Sequence, residues 1–209
     1  MITRVIVVRH GQTYGNIEGL FCGHSETELT PLGVRQARAL GARLREMEID
    51  AAYSSDLSRA AKTAEHALEQ KPGLEAAPDP GLREMHYGEW EGRPGRELGE
   101  RHPELLRDFF LGRLHGAPGG ETLQQLRTRT SEAVQRSVEA HRGGTVLLVS
   151  HGNAIMAMLA EFLSLPIEAT WSFACDNTSI TRMQFSKSGR FTLLGYNDAT
   201  HLQGLENGG

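Results

Sequence analysis

A three-layer α/β/α fold with a mostly parallel central sheet is predicted by three observations. Continuous apolar runs at 5–8 and 146–149 suit strands buried on both faces. Strand-like and helix-like segments alternate along the chain, which is the pattern of a parallel sheet covered by helices. Two late apolar segments flank a Ser-Lys-Ser-Gly turn at 186–189, as expected of an antiparallel hairpin at a sheet edge.

Each element has a local reason. Val5 to Val8 is β-branched throughout and predicts a central strand. Thr30 supplies an N-cap and Pro31 the first helical position, and Leu32, Ala37, Leu40, Leu44 and Met47 recur at helical intervals, predicting a helix over 31–47. Residues 49–55 read as a short strand. Asp56 follows as the expected cap of a helix carrying Leu57, Ala60, Ala64 and Leu68. A brief apolar segment lies within the proline- and glycine-rich stretch 71–81. Residues 143–163 read as a buried strand running directly into an apolar helix. The hairpin strands cover 179–185 and 190–196. Residues 92–120 are rich in glycine and proline, and the helical pattern at 97–110 is interrupted at Pro103, so this region is expected as a small helical lobe inserted into one domain spanning 1–209. The final Glu-Asn-Gly-Gly is expected to fray.

A chain of 209 residues with 39% hydrophobic and 23% charged residues is an ordinary globular composition. A formal charge of −4 argues against a general nucleic-acid surface, which needs a basic face. Cys22 and Cys175 are too few for a disulfide framework, pointing to the cytoplasm. The apolar run before Arg9 is too short for a signal peptide or a membrane span, so no membrane partner is expected.

In an open α/β sheet, ligands bind where the carboxyl ends of central strands meet. Arg9 and His10 sit at one such end, and His151-Gly152 at another. If the two strands are neighbours, two imidazoles and a guanidinium surround one point, with helix N-termini aimed at it. Such a point suits an anion.

These residues are ordered within a longer series. Arg9-His10-Gly11 is followed by Thr13 and Asn16, then by Arg59 in SSDLSRAAKTA, Glu84 in LREMHYGEWEG, and His151 in VSHGN. In that order the chain resembles the histidine phosphatase superfamily, also called the phosphoglycerate-mutase-like family. DNTSI at 176–180 resembles its members as well. The resemblance implies that His10 is the nucleophile, phosphorylated in turnover through one ring nitrogen while the other donates to a backbone carbonyl. Arg9 and Arg59 would clamp phosphate oxygens, with Asn16 and His151 adding donors, because planar guanidinium groups match them and stay charged. Glu84 would be the general acid, held protonated by burial and by the phosphate. Gly11 would make room for the phosphate, and Thr13, Cys22, Gly23, Tyr87 and Gly152 would complete substrate binding. His201 is a candidate to approach the site and equally a tail surface residue. Trp90 and Cys175 are read as packing residues, and the remaining histidines lack zinc-ligand spacing.

The expected activity is metal-independent hydrolysis of small phosphorylated metabolites, without a cofactor. A cofactor-dependent phosphoglycerate mutase is the main alternative, and an inactive phosphate-binding module the other. Only 66 residues separate Glu84 from His151, fewer than in the mutases of the resemblance, which favours hydrolysis. The WSFACDNTS stretch at 171–179 leans toward amino-acid or small-acid phosphates. A homodimer is compatible with the sequence.

Overall fold

The computed structural model describes residues 1–205, so the expectation for the last four residues lies outside the described part. Six strands form one sheet: β1 (Ile2–Arg9), β2 (Ala51–Ser54), β3 (Ala76–Pro78), β4 (Thr145–Ser150), β5 (Ile180–Ser186) and β6 (Phe191–Asp198). Their order is β3-β2-β4-β1-β5-β6. The first four run parallel, while β5 pairs antiparallel with β1 and β6 antiparallel with β5, so the late hairpin forms the edge.

Strand periodicity divides the core. Val5 and Val7 face one side with Val146 and Leu148, against Val134, Ile155, Met158 and Leu159. Ile6 and Val8 face the other with Leu147 and Val149, against Leu40, Leu44, Ala60 and Ala64. The helices on the first face are α6 (Leu123–Ala140) and α7 (Gly152–Phe162), and those on the second are α2 (Pro31–Leu44) and α3 (Ser58–Leu68). This is the three-layer α/β/α arrangement. Between Trp90 and α6 lie the lobe helices α4 (Gly95–Arg101) and α5 (Pro103–Phe110), with Pro103 starting the second after the interruption. Trp90, Leu98 and Phe109 pack together there, so Trp90 is a packing residue. Among the described residues no helix is long and apolar enough to cross a membrane.

Several local expectations change. The Thr30 hydroxyl accepts from Gly33 N at 3.0 Å, as a cap should, but α2 ends at Leu44. Met47 N then donates to the Leu44 carbonyl in a turn, and the Met47 side chain packs on the core from outside the helix. Asp56 does not cap α3. Its carboxylate is drawn into a paired contact with Arg83, at 2.7 Å from Nε, and Glu26 from a distant loop accepts from Ser58 N instead. The longest helix, α6, has no counterpart among the sequence predictions because its inward face is partly polar: Arg127, Thr130, Ser131 and Ser137 are buried. The three hydroxyls donate to carbonyls one turn back, which satisfies them without leaving a hydrophobic stripe. The readable signal was its start, where Thr122 and Gln125 form a capping box. A short helix α1 (Tyr14–Glu18) was likewise missed.

The α2–α3 packing gives a sharp test. A Cβ at Gly41 would lie 2.8 Å from the Ala67 carbonyl oxygen, whereas one at Gly99 would meet only a Leu106 methyl at 3.6 Å. Helix propensity favours alanine at both sites by roughly 0.5–1 kcal/mol. Gly41→Ala should nevertheless lower the melting temperature and Gly99→Ala raise it, each by a few degrees, in a calorimetric comparison. Equal shifts would mean that packing does not decide Gly41.

Candidate active site

The two imidazoles meet because β1 and β4 pair in register. Arg9 lies opposite Ser150, and His10 N donates to the Ser150 carbonyl at 2.9 Å. The next residue on each strand is therefore a histidine beside a histidine, with ring centroids 5.1 Å apart. Both are buried. His10 Nδ1 lies 2.7 Å from the Gly11 carbonyl oxygen, which can only accept, so Nδ1 carries the proton and Nε2 carries the lone pair. Burial, reinforced by Arg9 and Arg59, holds His10 well below the ordinary histidine pKa and keeps it neutral near pH 7. His151 is lowered in the same direction, chiefly by burial, and neither of its ring nitrogens has a protein partner.

The backbone that presents His10 is held from the far side. Thr178 N donates to the Arg9 carbonyl at 3.0 Å, and Asn177 Nδ2 donates to the His10 carbonyl at 3.0 Å and to Asn16 Oδ1 at 3.2 Å. Thr178 adopts φ +56°, a conformation that costs a β-branched residue about 1–3 kcal/mol. His201 Nε2 lies 3.2 Å from the Thr178 hydroxyl, so His201 sits behind this clamp rather than in the cavity.

Gly11 is needed for a different reason from the one its sequence position suggested. A Cβ there would lie 2.6 Å from the Gly33 carbonyl oxygen, so the glycine admits the first turn of α2, and Gly11 does not line the cavity. Its N–H donates to the Thr63 hydroxyl at 3.0 Å.

Two guanidinium groups flank His10. Arg9 donates through Nη1 to the Cys175 carbonyl, while its Nε is buried without a protein partner. Arg59 is buried, and its Nη1 and Nη2 donate to the Ser25 and Gly23 carbonyls at 3.0 and 2.6 Å. Those carbonyls are aimed by Glu91, which sequence reasoning did not single out. Its carboxylate accepts from His24 N at 2.8 Å, Ser25 N at 2.7 Å, the Ser25 hydroxyl at 2.6 Å and Tyr87 N at 3.0 Å. These donors hold its pKa below the ordinary value against the upward push of burial. The signal in the sequence was its place in the WEG end of the Glu84 motif.

Glu84 sits on the N-terminus of α7. Its oxygens accept from Met85 N at 2.8 Å, Ala154 N at 3.1 Å and Asn153 N at 3.2 Å. The helix end expected to face an anionic ligand thus faces this carboxylate. Burial still pushes Glu84 above the ordinary glutamate pKa, with the Met85 N–H, Arg59, the Asn153 N–H and Arg9 opposing. Arg129, also missed, supports the segment from below by donating to the Arg83 carbonyl at 3.0 Å and the Glu84 carbonyl at 3.3 Å while paired with Glu121 at 2.7 Å.

A cavity of about 520 Å³ joins these groups. Arg9, His10, Thr13, Asn16, Cys22, Gly23, Arg59, Glu84, Tyr87 and Gly152 all line it, whereas His151 does not and lies fully buried beside His10. Thr13 and Asn16 form the capping box of α1, which ties down Asn16 Oδ1 and leaves its amide nitrogen free to donate. Tyr87 accepts from Asn153 Nδ2 at its hydroxyl, and Gly23 needs its glycine for φ +48°. Cys175, read as packing, also lines the cavity. Burial pushes its thiol up to about 11 and raises Cys22 too, so neither is a ready thiolate.

A buried neutral imidazole with Nε2 free, a second buried histidine and two fixed positive charges form a site suited to a tetrahedral oxyanion. Glu91→Ala should release the 23–25 loop from Arg59 and weaken inorganic phosphate binding about tenfold by calorimetry. Glu91→Gln should restore part of the affinity. Unchanged affinity in both variants would remove Glu91 from the support of Arg59.

Comparisons with known proteins agree with this geometry. A probable phosphoglycerate mutase, GpmB, of Salmonella choleraesuis is 36% identical over 186 residues, covering 88% of this chain and 86% of that protein. The adenosylcobalamin/alpha-ribazole phosphatase of Escherichia coli is 33% identical, covering 83% and 85%. The solved structure of YhfR from Bacillus stearothermophilus superposes with a TM-score of 0.91 at 32% identity, covering 96% of this chain and all of that one. The family model of the histidine phosphatase superfamily, branch 1, matches residues 5–199. With five ordered motifs converging on one cavity and a match over nearly its whole length, the chain belongs to the histidine phosphatase superfamily.

Proposed function

We propose that the protein is a metal-independent phosphomonoesterase that acts on small phosphorylated metabolites in the cytoplasm through a phosphohistidine. The observation that carries this reading is the His10 tautomer: Nδ1 is bound to the Gly11 carbonyl, and the free Nε2 belongs to the cavity shared with Arg9, Arg59 and Glu84. Nε2 attacks phosphorus, the bond to the ester oxygen breaks, and Glu84 gives the departing alkoxide its proton. Water then attacks the phosphohistidine, the ionised Glu84 takes a proton from it, and the phosphorus–nitrogen bond breaks to regenerate the imidazole. Arg9, Arg59 and His151 hold charge on the transferring oxygens, and losing one such preorganised donor typically costs about 10²–10³ in rate. The guanidinium groups supply the positive charge that a metal ion would supply elsewhere. Two unpaired cysteines agree with a cytoplasmic setting.

A mutase is the second reading, favoured by the 36% identity to a probable phosphoglycerate mutase. The open mouth speaks against it. Asn16 and Gly19 are exposed on the cavity wall and Phe110 at its lip is 48% exposed, so water reaches a phosphorylated His10. With a bisphosphoglycerate primer and 3-phosphoglycerate, the expected product is inorganic phosphate; fast isomer exchange would favour the mutase.

His10→Ala should abolish hydrolysis of an aryl phosphate in chelator-containing buffer and abolish labelling by radioactive substrate, whereas activity that depends on added metal would overturn the mechanism. Glu84→Gln should slow alkyl phosphates far more than aryl phosphates, since a good leaving group needs less protonation.

The pH dependence has a defined sign. His10 works neutral and its pKa is lowered, so activity persists below pH 6.5 and is lost as pH falls through that depressed value. Glu84 works protonated and its pKa is raised, so activity is lost as pH rises through that elevated value. The alkaline limb should disappear in Glu84→Gln. An acid limb of kcat at or above 6.5 would contradict the role of His10.

A further inference from the structure

The cavity has two chemically different ends. Its ionisable groups, Arg9, Arg59, His10 and Glu84, gather where β1 and β4 end and α7 begins. Much of the remaining wall is apolar and is built by Leu20, Phe21, Leu106, Phe110, Met156 and Phe173, with Thr13, Asn16, Asn153 and Tyr87 as its neutral polar members. Phe110 stands at the lip, half-exposed, with its ring 6.4 Å from Phe21 and 6.0 Å from Trp171. Leu106 and Phe110 come from α5, so the lobe contributes a greasy wall to the site rather than a charged one.

Charge balance sharpens the point. Among the described residues that line the cavity, Arg9 and Arg59 are the two permanent cations, and both act on His10. Arg59 already commits two donors to backbone carbonyls. A phosphate dianion balances the pair, and a protonated Glu84 adds no charge. A carboxylate elsewhere on the substrate would meet neutral side chains and no further cation, so it would give up water against Phe, Leu and Met side chains without an ion pair in return. An aromatic or aliphatic group would instead cover the half-exposed Phe110 ring and remove its apolar surface from water.

We propose that the preferred substrates are monoesters whose alcohol is uncharged and apolar, seated against the Phe21–Phe110–Phe173 wall, and that phosphorylated amino acids and hydroxy acids are poor substrates. This rests on the phosphomonoesterase reading and reverses the lean toward small-acid phosphates given by the 171–179 stretch. Phe173 and Cys175 of that stretch do line the cavity, but they add apolar surface and a neutral thiol.

The test compares alkyl esters, so that leaving-group chemistry is similar: 2-phenylethyl phosphate, glycerol 3-phosphate, phosphoserine and 3-phosphoglycerate. The expected kcat/KM for 2-phenylethyl phosphate exceeds that for each of the two acids by at least about tenfold, since removing one apolar group from a fitted pocket is worth about 10–200-fold. Phe110→Arg should narrow or invert that ratio by supplying the missing cation and removing the ring, and Phe173→Arg should act in the same direction. An acid hydrolysed as well as the phenylethyl ester by the wild-type protein, or a ratio untouched by both substitutions, would overturn the proposal while leaving the phosphatase reading intact. Failure to hydrolyse any of the four esters, with no phosphohistidine formed, would overturn both.

Discussion

Everything at the site depends on the parallel, in-register pairing of β1 with β4. Because Arg9 faces Ser150, the first residue past each strand is a histidine beside a histidine, and neither can move without breaking the central ladder of the sheet. The sheet is buried by α2 and α3 on one face and α6 and α7 on the other, so the strand ends are as rigid as any part of the molecule. A nucleophile placed there needs no loop closure to be aligned. What the strands do not decide is which ring nitrogen is free, and the Gly11 carbonyl decides that.

The electrostatics of the site are a balance of opposed terms. Burial lowers His10 and His151 and raises Glu84, and the two guanidinium groups reinforce the first effect while resisting the second. The same enclosure therefore yields a neutral base and a carboxylate shifted toward protonation. Glu84 receives backbone N–H groups from the start of α7, which fix its position without cancelling its shift. A bound phosphate would add negative charge and push it further in the direction catalysis needs.

Around this centre lies a set of supports that touch no ligand. Glu91 aims the loop carbonyls that hold Arg59, Arg129 gathers the carbonyls of the segment carrying Glu84, and Asn177 with the strained Thr178 ties down the backbone of Arg9 and His10. Each places a charged or strained group where a simple fold would not keep one. Glu91, Asn177 and Thr178 fall within the ordered motifs, so those motifs carry supports as well as cavity-lining residues. The lobe helices serve differently, since α5 contributes Leu106 and Phe110 to the cavity wall.

The sequence by itself determined the layered α/β class and most of the residues that gather at one cavity. Buried strands announce themselves by unbroken apolar runs, and a histidine directly after such a run has one place to be, at the carboxyl edge of the sheet. Thr30-Pro31 likewise determined where α2 begins, because capping is a local hydrogen bond. Where partners come from far along the chain, local reasoning failed. Asp56 is claimed by Arg83 and the start of α3 by Glu26, and α6 hides because its buried hydroxyls bond to their own helix. The reason for Gly11 is Gly33, twenty-two positions away. Tertiary structure alone decided that Glu84 occupies the helix end expected to face a ligand, and that Leu106, Phe110, Met156 and Phe173 share one cavity with the ionisable groups, because both follow from which distant surfaces fold against one another.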